Sequence, residues 1–289
     1  MPKPLRRIVV RTHHFSAAAD TALQELCALA HEHELELLVS PAEVQKHPQL
    51  AGLNVQVVDD TDARAADLCL VFGGDGTVLR SLGHFLGSEV PTLGVNFGNV
   101  GFLAALPRHN WAQRLPAVLA GDYRVVELLT VAVHHDGQTF TGVNDVVISR
   151  VGGRHVLQLE YEVAGMAVGT MSCDGLIVAS PAGSTAYNLS CSGPIVEWTA
   201  SVLVLNFIAP HSLAFRPVVV QPDHAIVARN ISPSQEAELV VDGEAVGMLG
   251  RDAAVSIAAG SVRARLLITA ETSFYENVER KLFDRRRAR

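Results

Sequence analysis

The chain has 289 residues, of which 48% are hydrophobic and 18% are charged. This composition excludes an intrinsically disordered protein, which would need fewer apolar and more charged residues. The formal charge is −7, so we expect no general attraction to nucleic acid or to anionic lipid. An anionic substrate would have to be held by local features, such as backbone amides or a metal ion.

The four cysteines show neither metal-ligand spacing nor the pattern of a disulfide framework. Free thiols are typical of a reducing compartment. No apolar run approaches the ~18 residues of a transmembrane helix, and the N-terminal residues lack the apolar core of a signal peptide. We therefore expect a cytoplasmic protein that binds neither membrane nor nucleic acid.

The first 122 residues alternate strand-like apolar runs with helical stripes. Strands are predicted over 8–10, 55–58, 68–72 and 90–95, and helices over 23–30, 78–86 and 111–119. Asn110 is the expected N-cap of the last helix, and Gly121 is expected just after its C-terminus. This alternation predicts an α/β domain with a parallel sheet between two layers of helices.

The pattern changes to strands over residues 123–270. Apolar and polar residues alternate over 157–163 and 262–268, and His134-His135-Asp136-Gly137 is a hairpin signal. We therefore predict a second, β-rich domain over 123–270. Residues 271–289 are predicted to form a helical basic tail that packs back on the first domain.

One glycine-rich segment, Gly73-Gly74-Asp75-Gly76-Thr77, lies between a predicted buried strand and a helix. Glycines let a ligand approach the main chain closely, and the free amides at a helix start can bind an anion. Open α/β sheets bind ligands at the carboxyl ends of their strands. A tight turn with Asp75 as a helix cap would give the same pattern. The residues of a Walker loop and of the dinucleotide fingerprint are missing.

The segment Gly-Gly-Asp-Gly-Thr resembles the signature of NAD kinases, which diacylglycerol and sphingosine kinases share and phosphofructokinases share more loosely. Further blocks select the NAD kinases among these families, and in chain order they are residues 94–103, 144–148, 174–187, 192–196, 210–217 and 241–244. The most diagnostic block is 174–187. The resemblance implies phosphorylation of the 2′-hydroxyl of the adenosine ribose of NAD, by ATP or polyphosphate, to make NADP.

The resemblance also implies roles for individual residues. Asp75 would be catalytic, orienting the hydroxyl and accepting its proton. The donor phosphates would bind at Gly73, Gly74, Gly76 and Thr77. The residues implied in NAD binding are Asp75, Gly76, Asn144, Asp145, His155, Asp174, Thr185, Ala186, Tyr187, Asn188, Ser190 and Glu244.

Mg²⁺, or another divalent cation, is expected to offset the triphosphate charge, because the motifs contain no basic phosphate clamp. No metal-ligating side chains are assigned. The scattered histidines, among them His13-His14 and His134-His135, do not converge with acids in a zinc pattern.

Several of these positions have alternative explanations. Asn144-Asp145 is a common turn pair, although an amide beside a carboxylate also suits a vicinal diol such as ribose. Gly183-Ser184-Thr185 can cap a helix instead of offering amides to a phosphate or approaching an adenine. Asp174 is also consistent with a turn acid, and His155 with a surface histidine.

Three positions depart from the pattern of the family. Ala182 lacks a hydroxyl that relatives often carry there, Glu244 stands where many have glutamine, and Asn188 replaces a frequent serine. These changes bear on affinity and on the preference between NAD and NADH. They leave the assignment of Asp75 untouched.

The resemblance further implies a homodimer or homotetramer with the β-rich domain at the interface. Arg285-Arg286-Arg287 is interpreted as a solvated tail. Two other functions are considered. A lipid kinase would share the glycine-rich segment but would need a membrane-seeking surface, and a dinucleotide-binding protein would lack turnover.

Overall fold

The computed structural model describes residues 5–13, 17–98, 101–152 and 155–283. The chain divides into two compact units. The first contains the described residues up to Glu127 and those from Ala264 onward, and the second spans Leu128–Arg263. This division differs from the predicted boundaries at residues 122 and 270.

The elements are as follows in chain order. The first unit contains β1 (Arg7–Thr12), α1 (Ala17–Glu32), β2 (Glu36–Val39), α2 (Pro41–Lys46), a 3-10 turn (Pro48–Gly52), β3 (Gln56–Val57), α3 (Asp60–Ala63), β4 (Leu68–Gly73), α4 (Asp75–His84), β5 (Thr92–Asn96), β6 (Ala104–Pro107), α5 (Trp111–Leu119) and β7 (Arg124–Leu128). The second unit contains β8 (Val131–His135), β9 (Gln138–Gly142), β10 (Asp145–Arg150), β11 (Leu157–Val163), β12 (Met166–Cys173), β13 (Gly175–Ala179), a 3-10 turn (Gly183–Thr185), α6 (Tyr187–Ser190), β14 (Leu203–Ile208), β15 (Val218–Val220), β16 (Ile226–Asn230), β17 (Ala237–Val241), β18 (Glu244–Leu249) and β19 (Ala254–Ala259). The chain then returns to the first unit with β20 (Ala264–Ile268), α7 (Phe274–Val278) and a π-helical turn (Glu279–Phe283).

The sheet of the first unit has the strand order β3-β2-β1-β4-β5-β20-β7, and β6 also pairs with β5. The pairs from β3 to β20 along this order are all parallel. The order reverses between β1 and β4, whose last residues are Thr12 and Gly73. Ligands of open α/β sheets bind at such a switch point, outside the carboxyl ends of the strands.

Helices cover both faces of this sheet because the side chains of a strand alternate between its faces. Leu70 and Phe72 of β4 pack in one apolar cluster with α1 and α5, and the ring centroids of Phe72 and Trp111 lie 5.0 Å apart. Cys69, between them in sequence, is fully buried and faces Ser81 of α4 on the other side of the sheet. The predicted three-layer α/β domain is thereby confirmed.

Residues 264–268 were predicted to belong to the β-rich domain, and the sheet pairing shows that this prediction is wrong. Leu266 of β20 pairs parallel with Thr92 of β5, so this strand extends the sheet of the first unit and not the β-rich domain. Arg265 fixes it there through ion pairs with Glu89 at 2.5 Å and Glu127 at 3.8 Å. Alternation of apolar and polar residues predicts a strand, but it carries no information about which sheet the strand joins.

The tail is helical in its described part. Ser273 caps α7 by accepting from the amide of Glu276, and the Asn277 side-chain amide donates to the carbonyl of Phe102 at 3.3 Å. These contacts place α7 against the first unit. Arg285-Arg286-Arg287 lies outside the described residues.

The second unit is a sandwich of two antiparallel sheets of six strands. Their orders are β15-β14-β13-β10-β17-β18 and β12-β11-β16-β19-β8-β9. Val146 and Ile148 of the first sheet share one buried cluster with Leu157 and Leu159 of the second, so the two inner faces form the core. The predicted β-rich domain is confirmed. No helix in the described part of the chain is long and apolar enough to cross a membrane.

Gly94→Ala should weaken the first unit. A Cβ at Gly94 would lie 2.7 Å from Val78 of α4 and 3.0 Å from the Cα of Ala104. Overpacking of this kind lowers the free energy of unfolding by about 1–3 kcal/mol, which urea denaturation followed by circular dichroism would measure. Gly83→Ala is the control, since nothing lies within 4 Å of its Cβ and alanine stabilises a helix by ~0.5–1 kcal/mol over glycine. Equal midpoints for Gly94→Ala and wild type would contradict the packing of α4 on β5.

Candidate active site

The glycine-rich segment joins β4 to α4 in the first unit. Gly73 ends the buried strand, Gly74 is the N-cap, and Asp75 is the first helical residue. The amides of Asp75 and Gly76 lie in the first turn, where an α-helix offers no intrahelical acceptor. The amide of Thr77 donates to the carbonyl of Gly74 at 2.9 Å. The amide of Thr77, which was predicted to bind the phosphates of the phosphoryl donor, is therefore already hydrogen-bonded within the turn.

The carboxylate of Asp75 is held by the loop that follows β5. Oδ2 accepts the amide of Phe102 at 2.7 Å, and Oδ1 accepts that of Leu103 at 3.0 Å. Lys281 of the tail places Nζ 4.0 Å from Oδ2, and the side chain of Asp75 is 31% exposed. Asp75 therefore bridges two loops and does not cap its own helix. A carboxylate has about four lone-pair sites, so two of them remain for a ligand.

Close packing requires glycine at two positions of this region, Gly73 and Gly101. A Cβ on Gly101 would lie 2.0 Å from Oδ1 of Asp75, and one on Gly73 would lie 2.7 Å from Cβ of Thr77. A Cβ on Gly98 would lie 3.5 Å from the Cα of Gly74. The two glycine-rich blocks recognised in the sequence therefore pack directly on each other around Asp75.

In the second unit, a second carboxylate binds backbone amides at the start of β10. Asp242 accepts the amides of Val143 and Asn144 at 2.7 Å each and that of Asp145 at 3.1 Å. Asp242 and Gly243 have φ of 49° and 87° and form the two-residue turn between β17 and β18. Positive φ at both positions is the geometry of a type I′ hairpin, which favours Asp-Gly.

The predicted ribose-binding pair lies at this same point. Asp145 is only 6% exposed. Burial, with a further contribution from the charge of Asp242, raises the pKa of Asp145 to about 7. Burial also raises the pKa of Asp242, against the three amide hydrogen bonds, which lower it. Near neutral pH the Asp145 carboxyl can therefore donate as well as accept a hydrogen bond.

Asn144 contributes a buried acceptor to this position. Its Oδ1 is buried and has no hydrogen-bond partner among the described residues. A buried unpaired acceptor costs free energy unless a ligand or water supplies the donor. The arrangement of Asn144 and Asp145 is suited to the hydroxyl groups of a vicinal diol.

Both halves of the chain match one protein family. The N-terminal domain of ATP-NAD kinases matches residues 5–123, and the C-terminal domain of ATP-NAD kinases matches residues 143–269. The chain belongs to the NAD kinase family. This confirms the resemblance that the glycine-rich segment and the later blocks indicated.

Individual NAD kinases align over most of the chain. It is 35% identical to the NAD kinase of Geobacter sulfurreducens over 75% of this chain and 78% of the relative. It is 31% identical to the NAD kinase of Acidithiobacillus ferrooxidans over 98% of this chain and 97% of the relative. For the NAD kinase of Ralstonia nicotianae the identity is 36%, over 80% of each chain.

Two solved structures share the fold of this NAD kinase family member. A yeast NADH kinase in complex with NADH superposes with a TM-score of 0.87 at 21% identity, covering 98% of this chain and 89% of that one. An NAD kinase from Archaeoglobus fulgidus in complex with ATP superposes with a TM-score of 0.73 at 23% identity, covering 94% of this chain and 96% of that one. At these identities the likeness concerns the fold alone.

Within this family member, the segment after β13 differs from the prediction of a helix start open to phosphates. The amides of Gly183, Ser184 and Ala186 donate to Ser180 Oγ, the Ser180 carbonyl and the Gly183 carbonyl. Only a 3-10 turn and the four-residue α6 follow. A Cβ on Gly183 would lie 2.0 Å from the carbonyl oxygen of Asn144. The glycine therefore serves packing against the Asn144 backbone.

The side chain of Asn188, one of the predicted NAD-binding residues, is bonded within the protein. Asn188 is fully buried. Its amide donates to the carbonyls of Ser184 and Pro194 at 3.1 Å each, and its Oδ1 accepts from Asn206. With its polar atoms bonded inside the protein, Asn188 fixes the position of α6.

The other predicted NAD-binding residues lie on the surface of the second unit. Asp174 is ion-paired with Arg150, with Nε 2.8 Å from Oδ1. Thr185 turns its hydroxyl back to the carbonyl of Ala182 at 3.1 Å. Burial raises the pKa of Tyr187, with smaller effects from Cys191, Asp145 and Asp174, which places Tyr187 in the electrostatic neighbourhood of the ribose-binding pair. Exposed residues are His155, Tyr187, Ser190 and Glu244, and Ala186 is half-buried.

Several residues of the Asp75 cluster in the first unit and of the Asn144-Asp145 cluster in the second were not singled out from the sequence. Asp242 was included only as part of a family block, although an Asp-Gly pair between apolar runs is a hairpin signal. Ser180 donates its hydroxyl to the carbonyl of Val143 at 2.6 Å, a bond that no spacing predicts. Lys281 belongs to the tail that was predicted to pack back on the first domain, but nothing in the sequence indicated that this side chain would lie near Asp75.

The described residues contain no group of three or more His, Cys, Asp or Glu side chains that could hold a metal ion. Mg²⁺ fits this donor set as an ion carried by the phosphates of a substrate. In such sites it keeps several waters and binds one or two carboxylates.

Thr77→Val is expected to leave the free energy of unfolding unchanged or raise it by about 1 kcal/mol. The hydroxyl of Thr77 is buried and has no partner among the described residues, so an apolar group of the same shape removes a desolvation penalty. Ser81→Ala is the contrasting variant, because the hydroxyl of Ser81 donates to the carbonyl of Thr77 at 2.9 Å. Loss of this hydrogen bond should lower the free energy of unfolding by about 1 kcal/mol. Urea denaturation measures both, and a clear loss of stability in Thr77→Val would contradict the unpaired hydroxyl.

Asp145→Asn should change how stability depends on pH. The folded-state pKa of Asp145 is raised from 3.8 to about 7, so between these values the folded chain binds more protons than the unfolded chain. Its contribution to the free energy of unfolding is therefore lost as the pH rises toward 7. The stability of wild type relative to Asp145→Asn should fall between pH 5 and pH 8. Urea denaturation at both pH values measures the difference, and parallel pH profiles would contradict a raised pKa.

Proposed function

We propose that this NAD kinase family member transfers a phosphoryl group from ATP or polyphosphate to the 2′-hydroxyl of the adenosine ribose of NAD, giving NADP. The observation that carries the proposal is the Asp75 carboxylate. This carboxylate lies at the start of α4, accepts the backbone amides of Phe102 and Leu103, and still has lone pairs available.

In the proposed reaction, a ribose hydroxyl donates a hydrogen bond to Asp75. As its oxygen attacks the transferred phosphorus, a new P–O bond forms, the bond to the leaving phosphate breaks, and the hydroxyl proton passes to the carboxylate. Phosphoryl transfer has a loose transition state with spread charge, so the position of the hydroxyl contributes more than the basicity of the acid.

The groups around Asp75 support the same chemistry. The first-turn amides of Asp75 and Gly76 carry the positive end of the dipole of α4. Lys281 adds a cation 4.0 Å from the carboxylate, and it lies over the ring of Phe102 with Nζ 4.5 Å from the centroid. Mg²⁺ carried by the donor would supply further charge compensation when bound.

We propose that the second unit binds ribose hydroxyls through Asn144 and Asp145. The unpaired Oδ1 of Asn144 accepts a hydroxyl hydrogen. Asp145, with a pKa of about 7, accepts or donates according to its protonation. Tyr187, Asp174, His155, Thr185, Ala186, Ser190 and Glu244 remain proposed contacts of the dinucleotide.

We also propose that the protein is a homo-oligomer and that it is cytoplasmic. The apolar side chains of Met166 and Val168 on edge strand β12, and of Val218 and Val219 on edge strand β15, are exposed. Exposed apolar edges favour association, which supports a homodimer or homotetramer. All four cysteines are free thiols, which supports the cytoplasm.

Asp75→Asn should lower kcat on the order of 10²–10⁴-fold while the Kd for NAD changes by no more than a few-fold. The amide no longer accepts the proton and turns a donor toward the amides of Phe102 and Leu103. NADP formation would be measured with a coupled dehydrogenase, and NAD binding by calorimetry.

Asp62→Asn serves as the control, because it removes the same charge from an exposed position on α3. It should keep wild-type kcat. Wild-type turnover in Asp75→Asn would remove Asp75 from the chemistry. A folded wild-type protein that makes no NADP with either donor would instead indicate a binding protein without turnover.

A further inference from the structure

One cation of the first unit lies beside the proposed catalytic acid. Lys281 belongs to the π-helical turn that follows α7, and its Nζ lies 4.0 Å from Oδ2 of Asp75. Turns of this kind are rare and occur frequently at functional sites. The tail thus supplies a charged side chain that the glycine-rich segment itself lacks.

Phe102 links the tail to the acid. Its amide donates to Oδ2 of Asp75 at 2.7 Å, and its carbonyl accepts the side-chain amide of Asn277 at 3.3 Å. Nζ of Lys281 lies 4.5 Å from the centroid of the Phe102 ring, which is within the range of a cation–π interaction. The same residue therefore holds Asp75 and the segment that carries Lys281, so the fold fixes where the ammonium lies relative to the acid.

The ammonium of Lys281 still has donors to offer. The two oxygens of Asp75 accept backbone amides at 2.7 and 3.0 Å, whereas 4.0 Å from Nζ to Oδ2 exceeds hydrogen-bond distance. Nζ forms no hydrogen bond with the described residues, and an ammonium has three donors. Because the side chain of Lys281 is 34% exposed, its donors are accessible to a ligand bound at Asp75.

The proposed reaction determines where the transferred group ends. The phosphorus forms a bond to the ribose oxygen that was hydrogen-bonded to Asp75, its bond to the leaving phosphate breaks, and the hydroxyl proton passes to the carboxylate. An oxygen bonded to Oδ2 at about 2.7 Å lies within about 7 Å of Nζ, and the flexible four-carbon stem of lysine can close that gap. The new phosphate ester therefore forms within reach of Lys281.

The product brings negative charge to a position that already contains an acid. A phosphate monoester carries a charge of about −1.5 to −2 at neutral pH, and like charges at short range repel each other. The first-turn amides of α4 carry only a partial positive charge. A full cation that donates hydrogen bonds to the phosphate offsets its charge more strongly.

We propose that Lys281 is a second catalytic residue, which binds the phosphoryl group as it arrives on the ribose hydroxyl and then holds the 2′-phosphate of the product NADP. The proposal rests on the proposed function. It assigns the tail a role toward the phosphorylated acceptor, separate from any contact with the phosphates that remain on the donor. Lys281 therefore strengthens the binding of NADP and not that of NAD, which has no 2′-phosphate.

The test compares the binding of NADP and of NAD to the full chain by calorimetry. Lys281→Met should weaken NADP binding by about tenfold or more, because a charged donor to the phosphate is lost, and should leave the Kd for NAD unchanged. Lys281→Arg keeps the charge and should bind NADP as wild type does. Arg6→Gln is the control, since it removes one positive charge from a side chain that is 67% exposed. Arg6 precedes β1, which runs parallel to β4, so it lies at the edge of the sheet opposite to Gly73.

Steady-state kinetics separate the possible outcomes, after urea denaturation has shown that each variant is folded. Lys281→Met should lower kcat by about tenfold or more, leave the KM for NAD unchanged, and raise the inhibition constant of NADP as much as its Kd. Equal losses of NAD and NADP affinity, or the same loss of NADP affinity in Arg6→Gln, overturn the inference. Wild-type kcat and NADP affinity in Lys281→Met also overturn it and leave the proposed function standing. A folded wild type that makes no NADP overturns the proposed function and the inference with it.

Discussion

The structure of the candidate site depends on a carboxylate that binds backbone amides. Asp75 accepts the amides of Phe102 and Leu103, and this pair of bonds joins the loop after β5 to the start of α4. A charge-assisted bond to a backbone N–H is stronger than a neutral one, so these two amides hold the acid in place, and Lys281 adds a cation 4.0 Å from its Oδ2. Gly101 has to lack a side chain because a Cβ there would overlap the carboxylate.

The second unit uses the same interaction for a different purpose. Asp242 binds three consecutive amides from Val143 to Asp145, which closes the hairpin onto the start of β10. Burial raises the pKa of Asp145, and the charge of Asp242 beside it adds to the effect. The result is a buried acid with a pKa of about 7 beside the amide oxygen of Asn144, which has no partner in the described part of the chain. This combination is suited to hydroxyl groups.

In the first unit, a cavity beside the glycine-rich turn is lined by the basic side chains of Arg11, Lys46 and Arg80, together with Thr12, Glu43 and Thr77. A mildly acidic chain with no basic motif needs positive charge from somewhere if it is to hold a polyphosphate. The fold provides it by ending β1 at Arg11 and Thr12 and by placing Lys46 and Arg80 beside them. The positive side chains at the switch point of the parallel sheet therefore line the same cavity as the first turn of α4, whose dipole also favours an anion.

The sequence by itself determined the α/β and β-rich parts, the glycine-rich turn and the family, because these depend on local periodicity and on contiguous motifs. It did not predict β2, α2 or β6, which are short. Tertiary structure alone decided that residues 264–268 return to the first sheet. It also decided that the side chain of Asn188 forms hydrogen bonds inside the protein and that Lys281 lies near Asp75. Each of these is a contact between residues far apart along the chain or a choice between equivalent strand partners, and local pattern carries no information about either.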